Sequence, residues 1–226
     1  ELVEQGVSLH LSEAVKAFKG TGKIKQVVTD SGVYPADIVV IATGVKPSTE
    51  FLAGTGITMK KGAIIIDKYG KTNIEDIYAA GDCATVYHMV KEENVYIPLA
   101  TTANKIGRIV GENLGGLNNK FPGTLGSACV KVMELEAGRT GISEADAIEK
   151  GINYKTVFIS DKNQTGYYPG QESIHVKLIY NSSTKVILGG QIIGKKGAVL
   201  RVDVLAAAIY NKMTTEQLGM LDLCYA

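Results

Sequence analysis

Two short apolar segments, each ending at a glycine, constrain the fold of this chain more than any other feature. The first runs from Ala36 to Ala42, includes four consecutive β-branched residues and stops at Thr43-Gly44. Such a run is typical of a strand buried on both faces, as in a parallel sheet. The second, Ile77–Gly81, is predicted to be a short strand and is followed at once by Asp82. Because open α/β sheets bind ligands at the carboxyl ends of their strands, Asp82 is a candidate acceptor for ligand hydroxyl groups, although an isolated Gly-Asp pair more often caps a turn.

The pattern of strands, turns and helices predicts three segments. Their boundaries are placed at residues 1–46, 47–122 and 123–226. In the first segment, apolar or alternating runs predict short strands, and the glycine-rich stretch Gly20–Lys23 predicts a hairpin turn between two of them. These predicted strands are 7–11, 14–18 and 24–29.

The other two segments mix strands and helices. A helical pattern runs from Thr101 to about Leu114, after an apolar stretch that starts at Ala63 and predicts a strand to Asp67. In the third segment, Ser143 and Thr214 each precede Asp or Gln by three residues, which predicts two capped helices. The third segment is therefore expected to be an α+β domain. Its predicted strands lie near 129–134, 154–160, 174–180 and 186–193, and its longest predicted helix is 198–212.

Composition excludes several classes of function. The chain has 24 basic and 23 acidic residues, so it lacks the clustered positive charge that a nucleic-acid-binding protein needs. It contains no apolar run long enough to span a bilayer, so a membrane location is not expected. Its three cysteines match no paired spacing, and a reducing cytoplasm is the expected compartment.

Taken together, the A-T-G ending at Gly44 and the T-x-x-x-x-I-Y-A-x-G-D motif ending at Asp82 resemble those of the FAD-dependent pyridine nucleotide-disulfide oxidoreductases. The resemblance implies a fold of α/β plus α+β class. It would be an incomplete flavoprotein with two dinucleotide-binding domains and a C-terminal mixed α+β dimerisation domain. It also implies that Thr43 and Gly44 end the NAD(P)H-binding domain, while Gly81 and Asp82 hold the ribityl chain of FAD.

The helix after Pro98 resembles the family helix whose N-terminus faces the flavin ring. By this resemblance its first residues, Ala100, Thr101, Thr102 and Ala103, bind the cofactor, because free N–H groups and the positive end of the helix stabilise a reduced flavin. Small residues recur every four positions from Ala103 and make a smooth helix face. That face is equally well explained by packing on a neighbouring helix.

Two tyrosine-containing motifs narrow the resemblance to the coenzyme A-disulfide reductases and their polysulfide- or persulfide-reducing relatives. Tyr167 and Tyr225 correspond to tyrosines that reach the active site of the partner subunit, which implies a homodimer with active sites completed in trans. The alternative is that both tyrosines only fill a subunit interface. Asn104 and Lys105 lie where that group contacts coenzyme A or another sulfur substrate, although a lysine exposed to solvent is commoner.

Two features of the family are missing from this sequence. No G-x-G-x-x-G motif occurs, and the redox cysteine of the subgroup is absent. Cys83 and Cys129 are interpreted as packed thiols, and His88 as an exposed loop residue. The histidines do not cluster, so no metal site is expected.

The resemblance implies that the full-length protein passes electrons from NAD(P)H through FAD to coenzyme A disulfide, polysulfide or persulfide, and that this fragment alone is inactive. One alternative is an NADH oxidase or peroxidase on the same scaffold. A second alternative is a non-catalytic dimerisation module.

Overall fold

The computed structural model describes residues 1–224 of the chain and forms two compact units, Glu1–Val45 and a second unit that starts at Lys46. The first unit contains a three-stranded antiparallel sheet in which each strand pairs with the next along the chain. The predicted hairpin turn at Gly20–Lys23 joins its first two strands, so that prediction is confirmed. The strands are β1 (Val15–Lys19), β2 (Gln26–Thr29) and β3 (Val33–Pro35).

Two strands predicted in this unit do not form. Residues 7–11 have no strand, and residues 36–42 are irregular, with Ile38 and Val40 83% and 85% exposed. The prediction of a buried parallel strand at 36–42 is therefore wrong for this structure. A strand of that kind needs hydrogen-bonded neighbours, and none of the residues up to 224 forms a ladder with this segment.

The first part of the second unit consists of two small hairpins and one long helix. The strand predicted from Ala63 to Asp67 shrinks to two residues, and the strand predicted to end at Gly81 is reduced to a single bridge between Lys71 and Tyr78. Both of these strand predictions were thus too long. The helix predicted from Thr101 is confirmed. The elements are a 3-10 turn (Glu50–Leu52), β4 (Met59–Lys60), β5 (Ala63–Ile64), β6 (Val86–His88), β7 (Glu93–Val95) and α1 (Ala100–Leu114).

The second part of this unit is a five-stranded antiparallel sheet in the order β10-β11-β12-β9-β8. The four predicted strands are present, and the first of them is followed by a further strand that completes a hairpin. The predicted capping boxes at Ser143 and Thr214 both form, so the two short helices begin where the sequence indicates. The elements are β8 (Ala128–Val132), β9 (Leu135–Gly141), α2 (Glu144–Glu149), β10 (Tyr154–Lys162), β11 (Ser173–Asn181), β12 (Ile187–Gly194), α3 (Ala198–Tyr210) and α4 (Thr215–Gly219).

Helix α3 packs closely against the sheet because glycines lie beneath it. A Cβ atom added at Gly138 would lie 2.8 Å from Cγ2 of Val202, and one at Gly190 would lie 2.5 Å from Cδ1 of Leu205. The apolar face of α3 and the inner residues of β11 and β12 form one buried cluster. A separate cluster surrounds Ile106 of α1, so the second unit has two hydrophobic cores.

Strand β10 lies at one edge of the sheet. All of its residues after Tyr154 are exposed, including Phe158 at 66%.

Candidate functional site

The N-terminus of α1 is open to a ligand. Leu99 precedes the helix in an extended conformation, and no side chain caps this end. The N–H groups of Thr102 and Ala103 both donate to the carbonyl oxygen of Leu99, at 3.0 and 2.9 Å. Ala100 and Thr101 are exposed, whereas Thr102 is buried. An uncapped first turn leaves N–H donors and partial positive charge, which favour an electron-rich or anionic group.

A cavity of about 950 Å³ lies between α1 and α3. Thr101, Thr102, Lys105 and Arg108 of α1 line one side of it, so it brings three of the predicted site residues together. Asn104 is exposed but does not line this cavity. Arg108 was not predicted, although its position one helical turn after Lys105 was a signal in the sequence.

The small-residue face of α1 is not packed within the described part of the chain. A Cβ atom added at Gly107 or Gly111 would meet no atom within 4 Å. Among the described residues, therefore, no neighbouring helix packs on this face in the way that the alternative explanation of the small residues requires.

Gly81 and Asp82 lie in a turn and not at the end of a strand, with Gly81 half-buried and Asp82 exposed. Gly81 has φ +89°, a conformation that favours glycine, and a Cβ atom there would meet nothing within 4 Å. The N–H of Ala84 closes the turn onto the carbonyl oxygen of Gly81 at 3.1 Å, and Asp82 is exposed. The backbone here is accessible to a ligand, but the carboxylate does not line the cavity between α1 and α3.

Thr43 and Gly44 are exposed near the end of the first unit, and Gly44 has φ +90°.

Tyr167 lies at the tip of the loop that joins β10 to β11 and is 75% exposed. The neighbouring Tyr168 is 50% exposed, and the centroids of the two rings are 5.3 Å apart. Tyr225 lies outside the described residues. The loop therefore presents an aromatic surface away from its own core, which suits contact with another molecule.

Two predictions about individual side chains are wrong. Cys129 is exposed and not packed, because its strand β8 is at a sheet edge. His88 is only 2% exposed, because the alternation along β6 turns it inward with Val86. That period of two was the signal that could have placed it. The Nδ1 atom of His88 accepts hydrogen bonds from the N–H groups of Val90 and Lys91, at 3.3 and 3.2 Å.

Burial lowers the pKa of His88, and the nearby charge of Lys91 lowers it further. Lys91 also pairs with Asp146 at 2.6 Å and so links the β6–β7 hairpin to α2. Burial alone would raise the pKa of Asp146. Hydrogen bonds from Lys91 and from the backbone and hydroxyl of Ser143 outweigh it and lower that pKa to about 2.

Two further findings concern residues 1–224. They contain no group of three or more His, Cys, Asp or Glu residues that could hold a metal ion. No helix in this range has the length and apolar character needed to cross a membrane.

Comparisons with known proteins identify the family. A model of the pyridine nucleotide-disulphide oxidoreductases matches residues 1–107, and a model of the dimerisation domain of these enzymes matches residues 127–225. The chain therefore belongs to the pyridine nucleotide-disulphide oxidoreductase family, as its motifs predicted. The predicted fold class is confirmed, and the family uses FAD and NAD(P)H.

Individual relatives match along the whole chain. The NAD(P)H sulfur oxidoreductase (CoA-dependent) of Pyrococcus furiosus is 37% identical, covering 100% of this chain and 51% of the relative. The NADH oxidase of Methanocaldococcus jannaschii is 34% identical, covering 100% of this chain and 50% of the relative. Among solved structures, an NAD-dependent persulfide reductase from A. fulgidus aligns with a TM-score of 0.93 at 37% identity, covering 100% of this chain and 42% of that one. The chain spans about half the length of the curated relatives it matches.

Proposed function

We propose that this chain is the C-terminal part of a flavoprotein that passes electrons from NAD(P)H through FAD to a sulfur acceptor. The observation that carries the proposal is the cavity between α1 and α3, where an uncapped helix N-terminus and the cation of Lys105 face the same space. The similarity of the whole of this chain to about half of a CoA-dependent sulfur oxidoreductase supports the same proposal. We propose a division into residues 1–46, 47–122 and 123–226. The compact unit Glu1–Val45 supports the first boundary, and the two separate hydrophobic clusters support the second.

The described residues fit a flavin in two respects. The open backbone at Gly81 allows close approach, and the exposed carboxylate of Asp82 can accept hydrogen bonds from the ribityl hydroxyl groups. In the first turn of α1, Ala100 to Ala103, the N–H groups of Thr102 and Ala103 are taken by Leu99, so the N–H groups of Ala100 and Thr101 and the partial positive charge of the helix end would face the ring. When bound, FAD supplies the two-electron chemistry, while these residues orient it and stabilise its negative charge. Thr43 and Gly44 would end the NAD(P)H-binding domain and border the NAD(P)H side of the flavin site.

The acceptor would bind beside Lys105. Its ammonium group can pair with a phosphate of coenzyme A, and Asn104, which is exposed outside the cavity, would donate a hydrogen bond to a part of coenzyme A that extends beyond the cavity. Tyr167, and Tyr225 beyond the described residues, would come from a second subunit and donate a proton or hydrogen bond to the departing thiolate. The match to a dimerisation domain at residues 127–225 supports the homodimer that this arrangement needs. We place the enzyme in the cytoplasm, where the free thiols of this chain stay reduced.

The second candidate is the reduction of oxygen or peroxide. The similarity to an NADH oxidase along the whole chain favours it.

The test compares acceptors in the full-length flavoprotein that carries this sequence. We expect turnover with coenzyme A disulfide or polysulfide to exceed turnover with oxygen or peroxide. Lys105→Gln should raise KM for coenzyme A disulfide roughly tenfold, since a charge-assisted hydrogen bond contributes about 1.5–3 kcal/mol. Lys155→Gln, which removes an exposed cation from β10, is the matched control and should leave KM unchanged. Faster turnover with oxygen, or an unchanged KM in Lys105→Gln, would contradict the proposal.

A further inference from the structure

The loop that carries Tyr167 is closed at its base by Asn163, a buried polar residue that is 8% exposed. The N–H of Asn163 donates to the carbonyl oxygen of Glu172 at 2.9 Å, and Oδ1 of Asn163 accepts from the N–H of Glu172 at 2.8 Å. Nδ2 of Asn163 donates to the carbonyl oxygen of Lys196 at 3.2 Å. One side chain thus joins both ends of the loop and ties them to the turn before α3.

Two glutamines brace the loop above this base. Nε2 of Gln164 donates to the carbonyl oxygens of Tyr168 and Pro169, at 3.3 and 2.8 Å. Nε2 of Gln171 crosses back to the carbonyl oxygen of Gln164 at 2.9 Å. The backbone around the tyrosines is therefore held by side chains, while the tyrosine rings themselves stay exposed.

Arg201 connects the loop to the core. Nη2 of its guanidinium donates to the carbonyl oxygen of Asn163 at 2.6 Å, and Nη1 donates to that of Gly197 at 3.0 Å. Gly197 has φ +76°, and a Cβ atom there would lie 2.7 Å from Nη1. A side chain at residue 197 would therefore push the guanidinium away, so this glycine makes room for the contact.

We infer that Asn163 and Arg201 are positioning residues that hold Tyr167 ready for use by the partner subunit. The inference rests on the proposed role of Tyr167. A free loop would lose backbone entropy when its tyrosine engages a partner's site, whereas a loop already fixed to α3 avoids most of that cost. Neither residue needs to touch the acceptor, because both act through the geometry of the loop.

The first test measures amide hydrogen exchange in the full-length protein that carries this sequence. In Arg201→Gln, the N–H groups of Tyr168 and Glu172 should exchange at least tenfold faster than in the wild type. Arg201→Lys, which keeps the charge and one donor, should be intermediate, and Lys155→Gln should be unchanged. Exchange at the wild-type rate in Arg201→Gln would overturn the inference. Exchange that is faster throughout the sheet would also overturn it, because Arg201 would then support the whole domain.

The second test uses the full-length flavoprotein and separates two steps of the reaction. Arg201→Gln should lower kcat for the sulfur acceptor roughly tenfold, which corresponds to 1.4 kcal/mol, and leave the rate of flavin reduction by NAD(P)H unchanged. Arg201→Lys should recover part of the loss. If Tyr167→Phe slows sulfur turnover and Arg201→Gln does not, the positioning inference is wrong and the role of Tyr167 stands. If Tyr167→Phe has no effect, the proposed role of Tyr167 fails and the inference fails with it.

Discussion

Replacing Gly138 by alanine should destabilise the chain, and replacing Gly107 by alanine should stabilise it. At Gly138 the new methyl group would lie 2.8 Å from Cγ2 of Val202, which is buried at 4% exposure and, as a β-branched helix residue, has one preferred rotamer. Overpacking of this kind costs about 1–3 kcal/mol, and alanine recovers about 0.5–1 kcal/mol over glycine in a strand. With central values of about 2 and 0.75 kcal/mol, the net loss is about 1 kcal/mol.

At Gly107 the same methyl group meets nothing within 4 Å on an exposed helix face. Only the helix propensity changes, and it favours alanine by about 0.8–1.0 kcal/mol. Gly190→Ala is an informative third variant, since its methyl group would meet the flexible end of Leu205. Gly190→Ala should lower the free energy of unfolding less than Gly138→Ala does, because Leu205 can change rotamer.

Urea unfolding of the three variants, followed by circular dichroism, measures these differences. With a slope of about 2 kcal/mol per molar urea, the midpoints of Gly107→Ala and Gly138→Ala should differ by roughly 1 M. A Gly138→Ala midpoint equal to that of the wild type would refute the argument that α3 needs a glycine beneath it. A lower midpoint for Gly107→Ala would refute the description of its helix face as open.

Two further predictions concern pH. Because the native pKa of His88 lies below its usual value of 6.5, the unfolded chain takes up the proton first, so stability should be level above pH 6.5 and fall as the pH drops below it. His88→Asn keeps a hydrogen-bond acceptor but has no group that titrates in this range, so its urea midpoint should fall less between pH 7.5 and 5.5 than that of the wild type. An equal fall in both proteins would exclude His88 as the cause. The pKa of Asp146 is lowered from its usual 3.8 to about 2. Its ionised form therefore adds about 2 kcal/mol to the free energy of unfolding above pH 3.8, and this contribution is lost as the pH falls toward 2. Asp146→Asn should therefore lower the free energy of unfolding by about 2 kcal/mol at pH 7, with a smaller gap at pH 3, and an equal gap at both values would count against this assignment.

Local signals predicted local structure well. The capping boxes at Ser143 and Thr214 depend on residues three positions apart, so each helix start could be read directly from the chain. The helix from Ala100 and the strands of the third segment also follow periodicities contained within each element. The segment at residues 36–42 could not be predicted in this way, because a buried strand exists only beside neighbours that lie elsewhere in sequence.

The candidate site was predictable only in part. Thr101 and Thr102 each lie about one helical turn before Lys105, so their shared cavity follows from helix geometry. Val199 and Tyr210 of α3 line the same cavity. They do so because of tertiary packing, which no local sequence pattern predicts. The same is true of Arg201, whose contact with Asn163 spans 38 positions in the chain.

The exposed edge of the five-stranded sheet has a practical consequence for handling this chain. Val157, Phe158 and Ile159 are consecutive in β10 and stay 40%, 66% and 52% exposed. An apolar edge strand is a template onto which a strand of another molecule can add, and the charges that oppose that addition, Lys155, Asp161 and Lys162, lie near its ends. In a concentrated preparation of the isolated chain, aggregation would start at this strand, and a lysine in place of Phe158 is the most direct way to prevent it.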